Sequence, residues 1–310
     1  MERLLAQGEE FGGYDTLTLW HQYPRLGVDA RSQWDFFDDF PGGVQGLGEA
    51  VAQAHQGGAR VFLPYKPWDI GDDQSMEGTS VQLAQLVADT DLDGLFLDTM
   101  SSVPAAFRPT IHGVKQGVAF CAEVHPGSVA AVNAITSSWG KSKAADPIPM
   151  LDYFRFLLPE HPVPIISRWA TGQGKDRLIE RAVFSATGLV IWQDVFGAWL
   201  PYSPSQKARI KAYKAVLTQN RDAFGGMHPI PLYPTLHPQV LCNCFPADDG
   251  SATVFTFCNQ SGAPYSGPLV KLSRPAARVS PLFGEQAWVE QDALWGQVAP
   301  DIVTAIRIEW

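Results

Sequence analysis

The sequence is short of charge, short of cysteine and without basic clusters. Only 18% of its 310 residues are charged, and 32 acidic side chains outnumber 23 basic ones, for a net charge of −9. No run of Lys and Arg occurs, which argues against nucleic acid and anionic membrane as partners, since both demand a positive footprint. The four cysteines, Cys121, Cys242, Cys244 and Cys258, are too few and too scattered for a disulfide framework. Cys242 and Cys244 lie two apart, on one face of any strand, and read as small apolar fillers. No apolar run approaches the roughly 18 residues that a membrane-spanning helix needs. The opening MERLLAQGEEFGGYD lacks the apolar core of a secretory signal, so a cytoplasmic location is the default expectation, with the compartment otherwise open. Several chemistries also lack their signatures. No GxGxxG or GxxxxGK[ST] follows a strand, no HxH or HExxH occurs, and there is no GxSxG. Nothing in the pattern specifies an oligomeric state.

What is present is apolar and aromatic. Residues of hydrophobic type make up 45% of the chain, ample for a core, and ten are Trp. Trp offers a flat apolar plate on which the C–H face of a sugar ring stacks, although a large core side chain is the plain alternative.

Short apolar runs alternate with helical patterns from residue 15 to about 224. The strand-like runs are TLTLW (residues 16–20), ARVFLPY, GLFLD ending at Asp98, GVAFCAEV, YFRFLLP and VPIISRW as one or two strands, and GLVIWQD. They are continuous rather than alternating, the mark of a parallel sheet buried on both faces. Between them WDFFDDFPGG reads as a long loop. Helical stripes appear at Val44, Leu47, Val51 and Ala54, stopped by Gly57-Gly58, near Val81–Ala88, at Val129, Val132 and Ile135, and at Leu178, Ile179, Ala182, Val183 and Ala186. Ser203-Pro204-Ser205-Gln206 reads as a capping box with Pro at the first helical position, opening a helix that runs to about Phe224. Six or seven β/α repeats predict an α/β fold, a TIM-type (β/α) barrel whose first strand is not visible, over residues 1–225. A Pro-rich linker follows at 226–234, and 235–310 carries runs at sandwich spacing, QVLCNC, TVFTFCN, PLVKL, ARVSPL, AWVE and IVTAIRIEW, predicting a small antiparallel β-sandwich.

Nearly every β-run ends in polar or aromatic residues, and in a barrel those ends converge. The first offers Trp20, His21 and Tyr23. The second offers Tyr65, Lys66, Trp68 and Asp69, the third Asp98, and the fourth Glu123 and His125. Later ones offer Arg168 and Trp169, then Trp192 and Asp194, with Trp199 a further stacking candidate. Asp98 ends a buried run in a carboxylate, which is costly unless it faces a site or is paired; capping the next turn is the plain alternative. Glu123 ends the adjacent run. Two carboxylates on neighbouring strand ends can flank one glycosidic bond, one attacking the anomeric carbon while the other protonates the leaving oxygen, at a separation of roughly 5–5.5 Å for retaining chemistry. Asp194 is a rival acid or a sugar ligand. Trp20, His21, Tyr65, Lys66, Trp68, Asp69, His125, Arg168, Trp169, Trp192 and Asp194 are the candidate substrate-binding residues. No cofactor and no metal are called for, although His21 and His125 beside Asp98 or Glu123 could make a metal-dependent hydrolase. A carbohydrate-binding barrel without catalysis is the other alternative.

The order VFLPYKPWD, GLFLDTM, FCAEVHPG, IISRW and GLVIWQDVFG resembles the retaining glycosidase barrels related to α-galactosidases and α-glucosidases. LDGLFLDTM matches their segment bearing an Asp nucleophile, and AEVHPG is where the endo-α-N-acetylgalactosaminidase-like branch would carry a Glu acid/base. The resemblance implies a hydrolase of α-linked, galactosyl-type or related sugars acting in carbohydrate metabolism, with Asp98 as nucleophile, Glu123 as acid/base and a following β-sandwich.

Overall fold

The computed structural model describes residues 1–21, 31–71, 75–140 and 153–310. Tyr23, one of the sequence candidates, lies outside them. The chain forms two compact units, Met1–Trp139 and Gly140–Trp310.

The first unit runs α1 (Glu2–Gly8), β1 (Thr16–Thr18), α2 (Gln33–Asp38), α3 (Gly43–Gln56), β2 (Arg60–Tyr65), α4 (Met76–Thr90), β3 (Gly94–Leu97), α5 (Phe107–Val114), β4 (Ala119–Ala122), α6 (Val129–Ala134) and β5 (Ser137–Ser138). The strands pair in parallel, in sequence order, β1-β2-β3-β4-β5, as successive β/α units of a TIM-type barrel wall. Side chains alternate across this wall. Leu63, Tyr65, Leu95, Leu97, Phe120 and Ala122 face outward into a core with Phe37, Leu47, Leu83, Val87, Phe107 and Ile111 of the helices. Each such fully buried side chain contributes about 1.5–3 kcal/mol. The opposite face carries Trp20, Lys66, Phe96, Asp98 and Glu123.

Two sequence expectations fail in regular structure. WDFFDDFPGG, read as a loop, contains helix α2. Its start is fixed by Asp35, whose Oδ2 accepts from the Ser32 backbone N–H at 2.7 Å and from the Ser32 hydroxyl at 3.1 Å, while Gln33, Phe36 and Phe37 bury one face. YFRFLLP, read as a strand, contains helix α7 (Tyr153–Leu157), in which the Leu158 N–H bonds back to the Phe154 carbonyl. A short apolar run of this kind has no period long enough to separate strand from helix. Helix α5 was not anticipated at all.

The second unit continues from α7 with β6 (Ile165–Ile166), α8 (Gln173–Ser185), β7 (Leu189–Val190), β8 (Asp194–Val195), β9 (Ala198–Trp199), α9 (Pro204–Gln219) and α10 (Arg221–Phe224). Gly140 bridges Ile165 in parallel, and β6 pairs in parallel with β7. The capping box at Ser203 and Gln206 forms as read, with Pro204 in the first turn. GLVIWQD is shorter than expected as a strand, because after β7 the chain turns into the unanticipated β8–β9 hairpin.

The antiparallel part comprises β10 (Val240–Pro246), β11 (Ala252–Asn259), β12 (Tyr265–Lys271), β13 (Arg278–Pro281), β14 (Ala287–Glu290), β15 (Ala293–Val298) and β16 (Thr304–Glu309). They form sheets β10-β11-β16-β13 and β12-β15-β14. Cys242, Phe255, Phe257 and Ile306 of one and Leu269, Leu294 and Val298 of the other share a core, so this is a β-sandwich. Only β15 was missing from the sequence reading. Helix α8 ends against this sandwich. The Phe184 carbonyl accepts from Asn243 Nδ2 at 2.9 Å and Thr256 Oγ1 at 2.7 Å. Glu180 takes both Nε and Nη2 of Arg209 at 2.8 Å and the Val303 N–H at 2.8 Å. The four cysteines are buried free thiols, and Cys242 and Cys244 are indeed apolar fillers of β10. Among the described residues no helix is long and apolar enough to cross a membrane.

Candidate active site

In the first unit the parallel register carries Asp98 and Glu123 to neighbouring positions. Leu97 pairs with Tyr65 and with Ala122, and the ladder runs one step further. The Asp98 N–H bonds to the Tyr65 carbonyl at 3.0 Å and the Glu123 N–H to the Leu97 carbonyl at 3.1 Å. Both side chains are buried, Asp98 to 6% and Glu123 to 9% exposure. Their carboxyls are close enough to share a hydrogen bond when one is protonated, and Asp98 Oδ2 is otherwise buried with no hydrogen-bond partner. Burial first, and then the neighbouring Glu123, push the Asp98 carboxyl up from 3.8 to about 7, while Lys66 pulls it down. Two carboxylates so placed cannot both ionise cheaply, so the pair holds a proton well above the usual carboxylate range.

Glu123 has a partner of its own. Its Oε2 accepts the Thr99 backbone N–H at 2.9 Å. Thr99 has φ 59°, left-handed backbone that a β-branched residue rarely adopts. The turn that directly follows Asp98 is thus held in a strained form that aims an N–H at Glu123.

Lys66 and His21 lie beside them. Lys66 is fully buried; its Nζ is 3.1 Å from His21 Nδ1 and 5.7 Å from the Trp20 ring centre. Burial pulls the Lys66 ammonium down to about 8 against the opposing pull of Asp69 and Asp98. His21 is clamped between the rings of Phe36, stacked at 6.0 Å, and Phe37, edge-on at 4.9 Å. With its Nδ1 turned to an ammonium, His21 faces a cation that would repel a metal ion. Among the described residues no group of three His, Cys, Asp or Glu side chains is arranged to hold a metal. Trp20, Phe96 and Trp139 form an aromatic row on the same face, with centroid separations of 5.4 and 4.3 Å.

Trp68 is 46% exposed, an open plate, and His125 is half-buried. Burial pushes the Asp69 carboxyl up, and Lys66 opposes it. Tyr65, expected among the substrate ligands, turns the other way. It is fully buried on the helix-facing side, edge-on to Phe107 at 5.1 Å, because side chains alternate along β2 and Lys66 takes the inner position.

Sequence reasoning missed Gln33. Its side chain is fully buried and clamps the segment after β2. Gln33 Nε2 donates to the Lys66 carbonyl at 2.7 Å and the Asp69 carbonyl at 2.6 Å, and Oε1 accepts the Lys66 N–H at 2.9 Å. The Ser32–Asp35 capping pair was the one available signal that a helix begins there. Thr99 was missed because a left-handed threonine leaves no trace in sequence.

The remaining candidates lie in the second unit. Arg168 sits over three rings, 5.0 Å from Phe196, 5.4 Å from Trp192 and 5.9 Å from Trp169. Trp169 and Phe196 are both more than half exposed and both left-handed, at φ 62° and 50°; Trp199 is 65% exposed. Asp194 closes the β8–β9 hairpin by accepting the Gly197 N–H at 3.0 Å, so its carboxyl does a turn residue's work. Phe196, at the tip of that hairpin, was not foreseen.

No known protein family matches the sequence, and no curated protein matches it. Solved structures do. An α-amylase from Geobacillus thermoleovorans, complexed with acarbose, is similar with a TM-score of 0.73 and 12% identity over 99% of this chain and 91% of its own. A noncanonic maltogenic α-amylase from Thermotoga neapolitana gives 0.69 and 15% over 100% and 93%. A debranching enzyme from Nostoc punctiforme, soaked with acarbose, gives 0.70 and 11% over 99% and 88%. At such identities the likeness concerns the fold, which this chain shares with those proteins over nearly its whole length.

Proposed function

We propose that this protein is a retaining glycoside hydrolase of α-linked sugars, with Asp98 as nucleophile and Glu123 as general acid/base. The observation that carries the reading is the buried Asp98–Glu123 pair on adjacent parallel strand ends, close enough to share one proton. A double displacement needs that resting state, one carboxylate and one carboxylic acid. Asp98 attacks the anomeric carbon as Glu123 gives its proton to the departing oxygen. Glu123 then takes a proton from water, which displaces Asp98 and restores the configuration. Carboxyls within hydrogen-bond reach lie inside the roughly 6.5–9.5 Å of inverting enzymes, so retention is the outcome to test.

For the sugar, the whole-chain likeness to two α-amylases and a debranching enzyme supports an α-glucosyl substrate. The galactosyl-type substrate and the endo-α-N-acetylgalactosaminidase-like branch expected from LDGLFLDTM and AEVHPG find no support, since the similar structures are α-amylases and a debranching enzyme. Trp20, Trp68 and His125 are the proposed sugar contacts beside the carboxyl pair of the first unit; Arg168, Trp169 and Trp192 are, by themselves, the candidate sugar contacts of the second. The same reading divides the chain into a barrel domain at 1–225, a linker at 226–234 and a sandwich domain at 235–310.

The test is hydrolysis of aryl α-glucosides and α-galactosides by the wild type and by Asp98→Ala and Glu123→Ala, with azide added. Azide should rescue Glu123→Ala to the α-glycosyl azide, by attack on the covalent intermediate, and Asp98→Ala to the β-azide, by direct displacement. Exchanged anomers would exchange the two roles. No turnover of any α-glycoside by the wild type would remove the reading.

A further inference from the structure

We propose that the outer face of the β12–β15–β14 sheet is a further carbohydrate-binding surface, on which Trp288 and Trp295 hold a stretch of α-linked oligosaccharide. The surface is built wholly from strands of the sandwich. The linkage of the sugar rests on the substrate reading above; the surface itself does not. Side chains alternate along each strand, so the inner residues fix which ones face out. On β14, Ala287 and Val289 pack against the sandwich core, and Trp288 and Glu290 face solvent. On β15, Leu294 and Val298 lie in that core, and Trp295 and Gln297 face out. On β12, Tyr265 and Leu269 turn inward, and Ser266 and Pro268 outward. Register then sets the outward residues in rows. Pro268 pairs with Trp295 and Trp295 with Trp288, an apolar row across all three strands. Ser266 pairs with Gln297 in the next row. Neighbouring strands lie about 4.7–4.9 Å apart, so the apolar row extends about 10 Å, room for successive rings of one chain.

The two indoles lie 6.0 Å apart at an interplanar angle of 24°. A sugar ring held between them would need about 7–8 Å, two carbon contacts of about 3.5–4.0 Å each, so a ligand must lie on their outward surface. Trp288 is 38% exposed and offers that surface. The row is built before any ligand arrives. Trp295 stands on the central strand, and beneath it the core is closed so tightly that a Cβ on Gly296 would come within 2.9 Å of the Leu269 side chain and 3.2 Å of Ile306. Beside the row, the exposed Ser266 hydroxyl and Gln297 amide can each donate and accept, as sugar hydroxyls do. Lys271, which also faces out, is paired with Asp292 at 3.0 Å, and Glu290 adds an acceptor. The size of the row argues for a small occupant. A stable protein interface takes on the order of 800 Å² from each partner. A Trp side chain offers at most about 250 Å², and here Trp288 shows 38% of its surface and Trp295 and Pro268 less.

The experiment is native electrophoresis through gels holding a soluble α-1,4-glucan, with a soluble β-1,4-glucan gel as control. Every protein carries Asp98→Asn so that the polymer stays whole, and on that background the parent is compared with Trp288→Ala, Trp288→Tyr and the pair Trp288→Ala with Trp295→Ala. The dissociation constant for the α-glucan should rise about five- to tenfold in Trp288→Ala and further in the double variant, and stay within about twofold in Trp288→Tyr, which keeps an aromatic plate. Thermal midpoints report whether each variant is folded; Trp288 lies on an edge strand, so its single variants carry the test if the double variant fails to fold. Unchanged retardation of folded Trp288→Ala, or no retardation of the parent by the α-glucan, would overturn the inference. Equal Trp-dependent retardation in the β-glucan gel would overturn the α-linked assignment. A concentration-dependent dimer on gel filtration that Trp288→Ala dissolves, with glucan binding intact, would overturn it in favour of a second copy of this chain. Hydrolysis of aryl α-glycosides by the wild type is read separately: Trp-dependent glucan binding by a protein that hydrolyses none of them would sink the hydrolase and leave this surface standing.

Discussion

The Thr99 N–H and Glu123 Oε2 meet at 2.9 Å across a turn that begins at Asp98, so one backbone group ties the two acids' strands together. The tie depends on the left-handed conformation of Thr99, whose side chain is exposed. Thr99→Gly keeps the N–H and removes the strain. It is expected to leave activity within about twofold and to stabilise by up to about 1 kcal/mol in urea unfolding. A large loss of activity would mean that the threonine side chain, not its backbone, is used.

Burial of Asp98 makes stability depend on pH. The Asp98–Glu123 pair keeps a proton well above the ordinary carboxylate value of 3.8, so across that window the folded chain holds a proton the unfolded chain has lost. Stability is therefore greatest at acid pH from this group and falls as pH rises through 7. Asp98→Asn, neutral at every pH, should match the wild type near pH 4 and exceed it by about 2 kcal/mol at pH 8. Equal stabilities at both pH values would show that the ionised carboxylate is better solvated than its surroundings indicate.

Gln33 makes three hydrogen bonds to the backbone at and after the end of β2. Gln33→Ala strands a buried N–H and a buried carbonyl, so a loss of about 2–4 kcal/mol in unfolding free energy is expected, with kcat falling more than KM rises because Lys66 loses its anchor. Gln33→Leu, similar in volume and equally unable to pair, should behave alike. A fall in KM-dependent binding alone would point to a direct substrate contact.

Phe196 occupies a left-handed turn position with its ring more than half exposed. Glycine would suit that backbone better, so Phe196→Gly should raise the thermal midpoint or leave it unchanged while weakening binding of an α-glycoside of the proposed substrate class several-fold by calorimetry. Unchanged affinity would reduce the ring over Arg168 to a surface ornament of the hairpin.

Much of this arrangement could be read from sequence, for physical reasons. GLFLD and GVAFCAEV are continuous apolar runs because a parallel strand is covered on both faces, and their acidic ends stand out against that background. The Ser203-Pro204-Ser205-Gln206 cap is local chemistry and needs no tertiary information. Elsewhere the deciding interactions are distant. The facing of Tyr65 depends on which of two neighbouring residues turns inward, and Gln33 acts on backbone atoms 33 and 36 residues away. Helix α2 is held by two buried phenylalanines whose partners come from other elements, so its residues looked like a loop.

Helix α8 finishes on donors that come 59 and 72 residues later in the chain, and its Glu180 waits for an N–H 123 residues on. During synthesis the end of that helix lacks these three partners until Val303 has been added. A protease cut between residues 226 and 234 should accordingly yield two fragments that co-elute on gel filtration and part only in denaturant, because each holds what the other would otherwise leave bare in a dry interior.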